Sequence, residues 1–543
     1  MKKRIQIGLL FFVLFAATIG TVLAQPVERT VGLLYLDSAA SDGYTLLAPS
    51  NTPITYLLDR QGMIVNSWDC HTLPRWATYL REDGLLLRET TGGDEFGMNG
   101  GGAGGLIQLF DWEGNTVWEY LYADTLYRHH HDVEPLPNGN ILVVAWEKIT
   151  PAEQIAAGRD TTLVESELWS ERIAEIQPIF PDDAKTVWIW HAWDHLIQDF
   201  DSTQANYGVV TEHPELINVN SPDVSGSSDW IHNNTVSYNA ALDQIIISPL
   251  RLDEFWVIDH STTTAEAAGH IGGGRGHGGD LLYRWGNPQI YGVGTEIDRK
   301  IFRTHDAQFV EDSAAGEWRV LLFNNGAGRP GGSYSSADEL ILPIDSNLDY
   351  YRHPDSAFGP ADFDWHFEAN PQLSLFSQSM SGVQRLPNGN RLICSALQGK
   401  LLEVEPSGDI VWEYKNPISF GVPLAQGQAA PPSSVTVFKV RKYAPDFPGL
   451  DGRDLMPQGP IETYCCVSRR GDANGDGDDA NVLDLTFIVD YLFRSSDLAP
   501  ECFEEGDINA DGDLGSPNIL DLTFLVDWIF RQGPPPSDCN YLP

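Results

Sequence analysis

Cysteine and basic residues are scarce in this chain. Its 543 residues hold 6 cysteines, and 34 Lys plus Arg stand against 76 Asp plus Glu, for a formal charge of -42. So acidic a surface repels polyanions, which argues against nucleic acid or an anionic membrane as a partner. Long apolar runs are missing beyond the N-terminus, so no transmembrane anchor is expected. Zinc-ligand spacing and a nucleotide-binding glycine fingerprint are missing too, and no nucleotide cofactor is expected. Histidine disappears altogether from Phe367 to Pro543. Four of the cysteines, Cys465, Cys466, Cys502 and Cys539, crowd towards the C-terminus, and nothing in the sequence chooses their pairing. Cys70 and Cys394 stand far apart, as compatible with free buried thiols as with a bridge.

What is present begins with an export pattern. Lys2, Lys3 and Arg4 precede an apolar run from Ile5 to Leu23, and Val22-Leu23-Ala24 supplies small residues for cleavage. Residues 1–24 are read as a signal peptide, which predicts a secreted or periplasmic protein in a compartment that permits disulfides.

From Thr30 to about Tyr443 the chain is rich in Gly, Asn-Gly and Asp-Gly turns, Trp and short β-branched runs. That is an all-β pattern, and the stretch is too long for one ordinary core. Strand-like runs ending in Trp recur at Trp68, Trp118, Trp188, Trp285, Trp365 and Trp412. Six such marks predict a six-bladed β-propeller over residues 30–445, with uneven spacing taken up by loop insertions. HDVEPLPNGNILVVA from His131 repeats without a gap as SGVQRLPNGNRLICS from Ser381. Asn-Gly between alternating apolar residues makes a tight hairpin, so both segments are read as the same two strands of their blades. VTVFKVRKYAPDFPGL, from Val435, is placed as a strand that returns to the first or last blade and closes the ring. Residues 446–466 then read as an extended linker to a module over 467–543.

That module carries one pattern twice: GDANGDGDDANVLDLTFIVDYLFR from Gly471 and GDINADGDLGSPNILDLTFLVDWIFR from Gly506. Asp472, Asn474 and Asp476 place oxygens at alternate positions before Gly477, and Asp507, Asn509 and Asp511 do so before Gly512. With Asp478 and Asp484 in the first copy and Asp513 and Asp521 in the second, each loop offers hard oxygen ligands for Ca2+. Asp484 falls 12 residues after Asp472 and Asp521 falls 14 after Asp507, both beyond the usual closing position, and Asn518 is a second candidate to close the later loop. Each loop runs into an amphipathic helix, so a small α-helical calcium-loop module is expected. The duplicated loop-helix resembles type I dockerin repeats, a likeness that implies calcium-dependent docking to a cohesin-like protein.

Three histidines share a phase ahead of comparable strands: His131 in HHHDVEPL, His232 in DWIHNNTVSYN and His305 in THDAQFVED. Equal phase in a propeller means equal height, so their side chains are expected to converge near the axis together with Arg329. Imidazoles and a guanidinium suit a tetrahedral oxyanion, since Arg pairs sulfate or phosphate in a planar fork and His donates, accepts or attacks. His129 and His130 read as solvated or structural. The loop GHIGGGRGHGGD from Gly269 offers Arg275, His277 and backbone N–H groups to an anion, but so many glycines read first as a blade-connecting loop.

HNNTVSYN, THDAQFV, LLFNNGAGRPGG, RLPNGNRLI, GKLLEVEPSGDIVWEY and YAPDFPGLDGRDL occur in this order. Together they resemble the bacterial arylsulfotransferases over roughly residues 30 to 460. The resemblance implies a six-bladed propeller enzyme that moves a sulfuryl group from a phenolic sulfate ester to a phenol without a nucleotide donor. It places His232 and His305 among the active-site histidines and Arg329 as the sulfate-binding arginine. The family's attacking histidine lies in a late blade, where this chain has none, and Ser381 stands where the repeat has His131. Either His131, His353 or His366 substitutes for it, or no sulfo-enzyme intermediate forms. The alternative is a non-catalytic propeller that binds or scaffolds within an extracellular complex.

Overall fold

The computed structural model describes residues 29–221, 228–312, 315–353, 356–426 and 428–462, and then 470–476, 478, 480–494, 500, 503–511 and 517–537. The signal peptide, Gly477, Gly512, Asp513 and the four C-terminal cysteines lie outside the described residues. The chain divides into two compact units, residues 28–464 and one that takes in residues 465–543.

In the larger unit six antiparallel sheets follow one another along the chain. Blade 1 holds Tyr44–Leu47, Ile54–Leu58 and Ile64–Asp69, and blade 2 holds Thr78–Leu80, Leu86–Thr91, Gly105–Phe110 and Thr116–Leu121. Blade 3 runs through Tyr127–Pro135, Ile141–Ile149, Leu168–Ile179 and Asp183–His191, and blade 4 through Asn233–Asn239, Gln244–Pro249, Phe255–Asp259 and Tyr283–Trp285. Blade 5 is Thr304–Asp312, Glu317–Asn324, Ser336–Ile341 and Trp365–Glu368. Blade 6 is Gly382–Arg385, Arg391–Ser395, Lys400–Val404 and Ile410–Lys415, with Gly32–Leu36 paired on its outer edge. Arg441–Tyr443 returns to pair with Tyr44–Leu47 as the first strand of blade 1, which removes the sheet edge that an open ring would leave.

The six tryptophan marks all fall on fourth strands, and they share one task. Each indole N–H reaches the segment that leads into the fourth strand of the next blade. The acceptors are Asp111 O for Trp68, Asp183 O for Trp118 and Thr262 Oγ1 for Trp188. Pro360 O serves Trp285, Pro406 O serves Trp365, and Arg60 O of blade 1 serves Trp412, all at 2.8–3.1 Å. A large apolar ring with a single donor suits this seam, because the ring fills the gap between sheets while its N–H satisfies an otherwise orphaned acceptor. The uneven spacing in sequence comes from insertions between strands, such as the segment between Ile341 and Trp365 in blade 5.

Charge holds the axis. Lys439 Nζ, buried, lies 2.8 Å from Asp132 Oδ2 of blade 3 and 3.3 Å from Asp306 Oδ1 of blade 5. Arg441 Nη2 pairs with Asp306 Oδ1 at 2.6 Å, and Tyr79 Oη of blade 2 donates to Asp132 Oδ1 at 3.1 Å. Asp132 also accepts from Val236 N of blade 4, and Asp306 from Val383 N of blade 6. All six blades therefore meet on two buried carboxylates and the two cations of the closing segment.

In the smaller unit the helices Val482–Phe493 and Ile519–Arg531 pack through Ile488 and Leu525, with Ala473 and Ile508 from the preceding loops in the same core. Both start with a reciprocal cap, Asn481 with Asp484 and Asn518 with Asp521.

Replacing Lys439 with Met keeps the side-chain length but leaves Asp132 buried without its cation. Removing one partner of a buried pair costs about 3–5 kcal/mol, so Lys439→Met is expected to lower the propeller's unfolding free energy, read by urea titration, by that much. A loss under about 1 kcal/mol would contradict the axial role.

Candidate functional site

The backbone turns sharply at or directly after each of the shared-phase histidines. His131 and His232 both adopt positive φ, 58° and 54°, and in blade 5 the equivalent kink falls on Asp306 at 56°. A positive φ in a non-glycine residue is uncommon, and its recurrence at one height in adjoining blades marks a site where side chains are re-aimed. Here it turns imidazoles towards the mouth of the axis and leaves the following carboxylates, Asp132 and Asp306, to face Lys439.

His131 and His232 meet edge to face with ring centroids 4.5 Å apart. Trp76 stacks against His131 at 5.5 Å, and Phe438 packs between Trp76 and His305. His131 is nearly fully buried: a Cβ on Gly102 would stand 1.7 Å from its Cε1, so only glycine lets the backbone cover this ring. Its Nδ1 lies 2.7 Å from Nδ1 of His130, whose Nε2 lies 2.9 Å from Glu171 Oε2. Burial and the surrounding His232, His130 and His305 hold His131 well below the usual histidine range. His130 is pushed down as well, by burial first and then by His232.

His232 is the open member of the group, with its side chain 15% exposed. Asp229 Oδ2 accepts from its Nδ1 in a short hydrogen bond, and Trp146 Nε1 fixes the other oxygen of Asp229 at 3.0 Å. Donation of Nδ1–H to a carboxylate leaves the lone pair on Nε2, the form in which imidazole attacks or takes a proton. Arg251 Nη2 stands 3.9 Å from the same Asp229 oxygen, which brings a guanidinium to the edge of this dyad.

His305 is committed differently. Its Nδ1 donates to Asn325 Oδ1 at 2.7 Å, and its Nε2 accepts from Met380 N at 3.1 Å. Asn325 in turn donates to Ser377 O and Met380 O, which fixes its oxygen as the acceptor. With both nitrogens in use, burial pushes His305 down to about 3. Arg329 does not join the imidazoles through any contact among the described residues. It lies over the Tyr334 ring at 4.1 Å and donates to Ser336 Oγ at 2.9 Å, at the start of the third strand of blade 5.

The substitutes expected for a late-blade histidine separate clearly. His131 reaches the cluster, whereas His366 sits on the fourth strand of blade 5 against Asp338, which raises it, and His353 is exposed on a loop. His129 and His130 are both fully buried, so the solvated reading does not hold. His129 bridges Glu89 and Val144 O, and His130 backs His131. Asp229 and Arg251 went unnoticed in the sequence, although Asp229 precedes His232 by three residues in DWIHNN, close enough to signal an orienting carboxylate.

The acidic loops of the smaller unit curl around their own oxygens. Asp472 Oδ1 accepts from Asp476 N at 3.0 Å, Asp484 Oδ1 from Asn474 N at 3.2 Å, and Asp476 Oδ1 from Asp478 N at 2.9 Å. The second copy repeats this, with Asp507 accepting from Asp511 N and Asp521 from Asn509 N, both at 3.2 Å. Asn518 serves as a helix cap, and it is Asp521 that turns back onto the loop. Burial, reinforced by Asp472 and Asp476, pushes Asp484 up to about 6. Asp521 is raised as well, by burial first.

A closed six-bladed ring with a carboxylate-held imidazole at its axial mouth defines a propeller with a site built for proton or group transfer. Residues 36–417 match the family described as Arylsulfotransferase (ASST), and the chain belongs to that family. The match supports a sulfotransferase enzyme. No curated protein matches the chain. Among solved structures it is similar to a protein of unknown function from Bacteroides caccae, at 11% identity and a TM-score of 0.39, covering 74% of this chain and 99% of that one. The periplasmic gluconolactonase of Pseudomonas aeruginosa gives 11% identity and a TM-score of 0.33, covering 74% and 99%. Inactive virginiamycin B lyase from Staphylococcus aureus gives 9% and 0.30, covering 73% and 91%. At such scores these likenesses carry no argument about the chemistry. No helix of the described residues is long and apolar enough to cross a membrane.

The depressed histidines set a pH dependence. The unfolded chain takes up these protons near its ordinary pKa of about 6.5 while the folded chain resists until much lower pH, so acid favours unfolding. Stability is expected to fall as pH drops from about 6.5 towards 3, by up to ~1.4 kcal/mol per pH unit for each such histidine. Urea titrations at pH 4, 5, 6 and 7 measure this. His305→Gln should flatten the slope relative to wild type, and an unchanged slope would show that His305 is not one of the groups responsible.

Proposed function

We propose that the protein transfers a sulfuryl group from an aryl sulfate to a phenolic acceptor without a nucleotide donor, and that His232 carries the group. The observation that supports this is the Asp229–His232 dyad, whose imidazole is the open one in a cluster of neutral, buried rings.

In the first step Nε2 of His232 attacks sulfur, an N–S bond forms and the S–O bond to the aryl group breaks, releasing a phenolate. The imidazole becomes cationic, and Asp229 balances that charge through the Nδ1 proton. In the second step the acceptor phenol attacks the same sulfur and its proton passes to water. The N–S bond breaks and His232 returns to the neutral ring. Arg251 faces the sulfuryl oxygens and offsets the repulsion of a chain with charge -42. His131 and His305 shape the mouth, and Arg329 reaches the ester only by leaving Ser336.

Export through residues 1–24 and a calcium-loaded C-terminal module complete this reading. Asp472, Asn474, Asp476 and Asp484 would hold one Ca2+, and Asp507, Asn509, Asp511 and Asp521 a second. The donor set is all oxygen, as Ca2+ requires, and the crowded Asp484 and Asp521 carboxylates gain most from a cation. As a dockerin-like unit, the module would then attach the propeller to a cohesin-like partner.

A chromogenic aryl sulfate incubated with a phenol is expected to give ping-pong kinetics. His232→Ala and Asp229→Asn should each lower kcat/KM about a hundredfold to ten-thousandfold, with folding unchanged by circular dichroism. Absence of transfer by the wild type would favour the binding-protein reading instead.

For the module, adding Ca2+ to chelator-treated protein is expected to raise its melting temperature, and an Asp484→Ala, Asp521→Ala double variant should lose the increase. An equal rise in the variant would remove these residues from the site.

A further inference from the structure

We infer that the seam between blades 3 and 4 holds a second, chemically different metal site. In it His195 Nδ1, His270 Nδ1 and the Asp280 carboxylate ligate a zinc-like divalent ion. These residues are remote in sequence and show no motif, which is why zinc-ligand spacing is missing from the chain. The fold assembles them: His195 follows the fourth strand of blade 3, while His270 and Asp280 flank the glycine-rich loop before the fourth strand of blade 4. Their ligand atoms all lie within 4.8 Å of one another.

Three observations fit this cluster to a metal. First, His195 Nε2 lies 2.8 Å from Ala267 O. A carbonyl only accepts, so Nε2 carries a proton, and Nδ1, 2.8 Å from Asp280 Oδ1, either carries a second proton or shares a bound cation with the carboxylate. A metal ion in place of that second proton meets an imidazole already held by a carbonyl on its far nitrogen, the usual form of a metal-ligating histidine. Second, His270 aims its own Nδ1 at the same Asp280 oxygen, also at 2.8 Å, although its side chain is 61% exposed and has solvent as an alternative.

Third, the surroundings are built tightly around His195. Trp190 stacks on it with rings 5° from parallel and donates to Gly279 O at 2.7 Å. A Cβ on Gly279 would stand 2.6 Å from His195 Nε2 and 2.0 Å from Ala267 O. The glycines that read as a blade-connecting loop thus fold back on themselves, through Gly278 N to Gly272 O and Gly279 N to Gly269 O, and press onto this imidazole.

Tetrahedral zinc ligands at about 2.0–2.2 Å stand about 3.3–3.5 Å from one another. The two Asp280 contacts need to open by about half an ångström to seat an ion, and the exposed His270 ring can turn to allow it. Two imidazoles and one carboxylate leave a fourth position. His270 and Asp280 also line a cavity of about 600 Å³, which gives water access to that position.

The test uses the full mature protein, stripped with chelator and held in saturating Ca2+ so that the C-terminal loops are filled. Calorimetry with ZnCl2 and the visible absorption of added Co2+ then read the site. One equivalent of Zn2+, a tetrahedral Co2+ spectrum and a zinc-dependent rise in melting temperature are expected. His270→Ala, a surface change that leaves the core intact, and Asp280→Asn should each weaken Zn2+ about tenfold or more and remove the Co2+ spectrum. Their metal-free melting temperatures control for folding. Failure of the wild type to bind, or equal binding by wild type and both variants, would overturn the site. Neither outcome bears on sulfuryl transfer at His232, which lies elsewhere on the propeller.

Discussion

Two buried carboxylates govern this propeller. Asp132 and Asp306 repel each other at the axis and would be intolerable there without Lys439 and Arg441 between them. Those cations belong to the segment that closes the ring, so closure and neutralisation are one event. The carboxylates also accept N–H groups from the inner strands of the neighbouring blades, which fixes the rotation of blades 4 and 6 relative to 3 and 5. Each sits directly after a site histidine, His131 or His305. Anchoring the acid therefore sets the height of the imidazole, and the geometry of the mouth follows from electrostatics one residue further in.

The mouth itself works by keeping imidazoles neutral in a very acidic protein. Burial disfavours the charged forms of His130, His131 and His305, and the nearby His232 opposes protonation of all three. His232 is set apart by Asp229, which can balance a positive charge on its ring and on no other. The family match over residues 36–417 and this dyad support the same chemistry. In the proposed mechanism His232 of blade 4 takes the role of the missing late-blade histidine, and a loss of Asp229 would leave no ring with a balanced charge.

The two proposed cation sites differ in their donors. The C-terminal loops offer only oxygens, spaced in sequence so that a short turn would wrap an ion. The blade 3–4 seam offers two imidazole nitrogens and one carboxylate, gathered from elements far apart in the chain. Hard and borderline ions divide between such sets without competition.

Local patterns in the sequence determined a great deal. The period-two strands, the Asn-Gly hairpins and the six tryptophans on fourth strands specify the propeller, because each blade is a local unit whose pattern repeats along the chain. The phase of His131, His232 and His305 was legible for the same reason, as was the pairing of acidic loop with helix in each C-terminal copy. Only the tertiary structure decided which side chains are free to act. Commitment of His305 to Asn325 and Met380, Arg329 resting on Ser336, the support of His232 by Asp229 and Arg251, and the meeting of His195 with His270 and Asp280 all depend on contacts between segments distant in sequence or on the direction of a single kinked residue. A linear pattern records what each residue offers, but the packing of blades decides which of those offers are already taken.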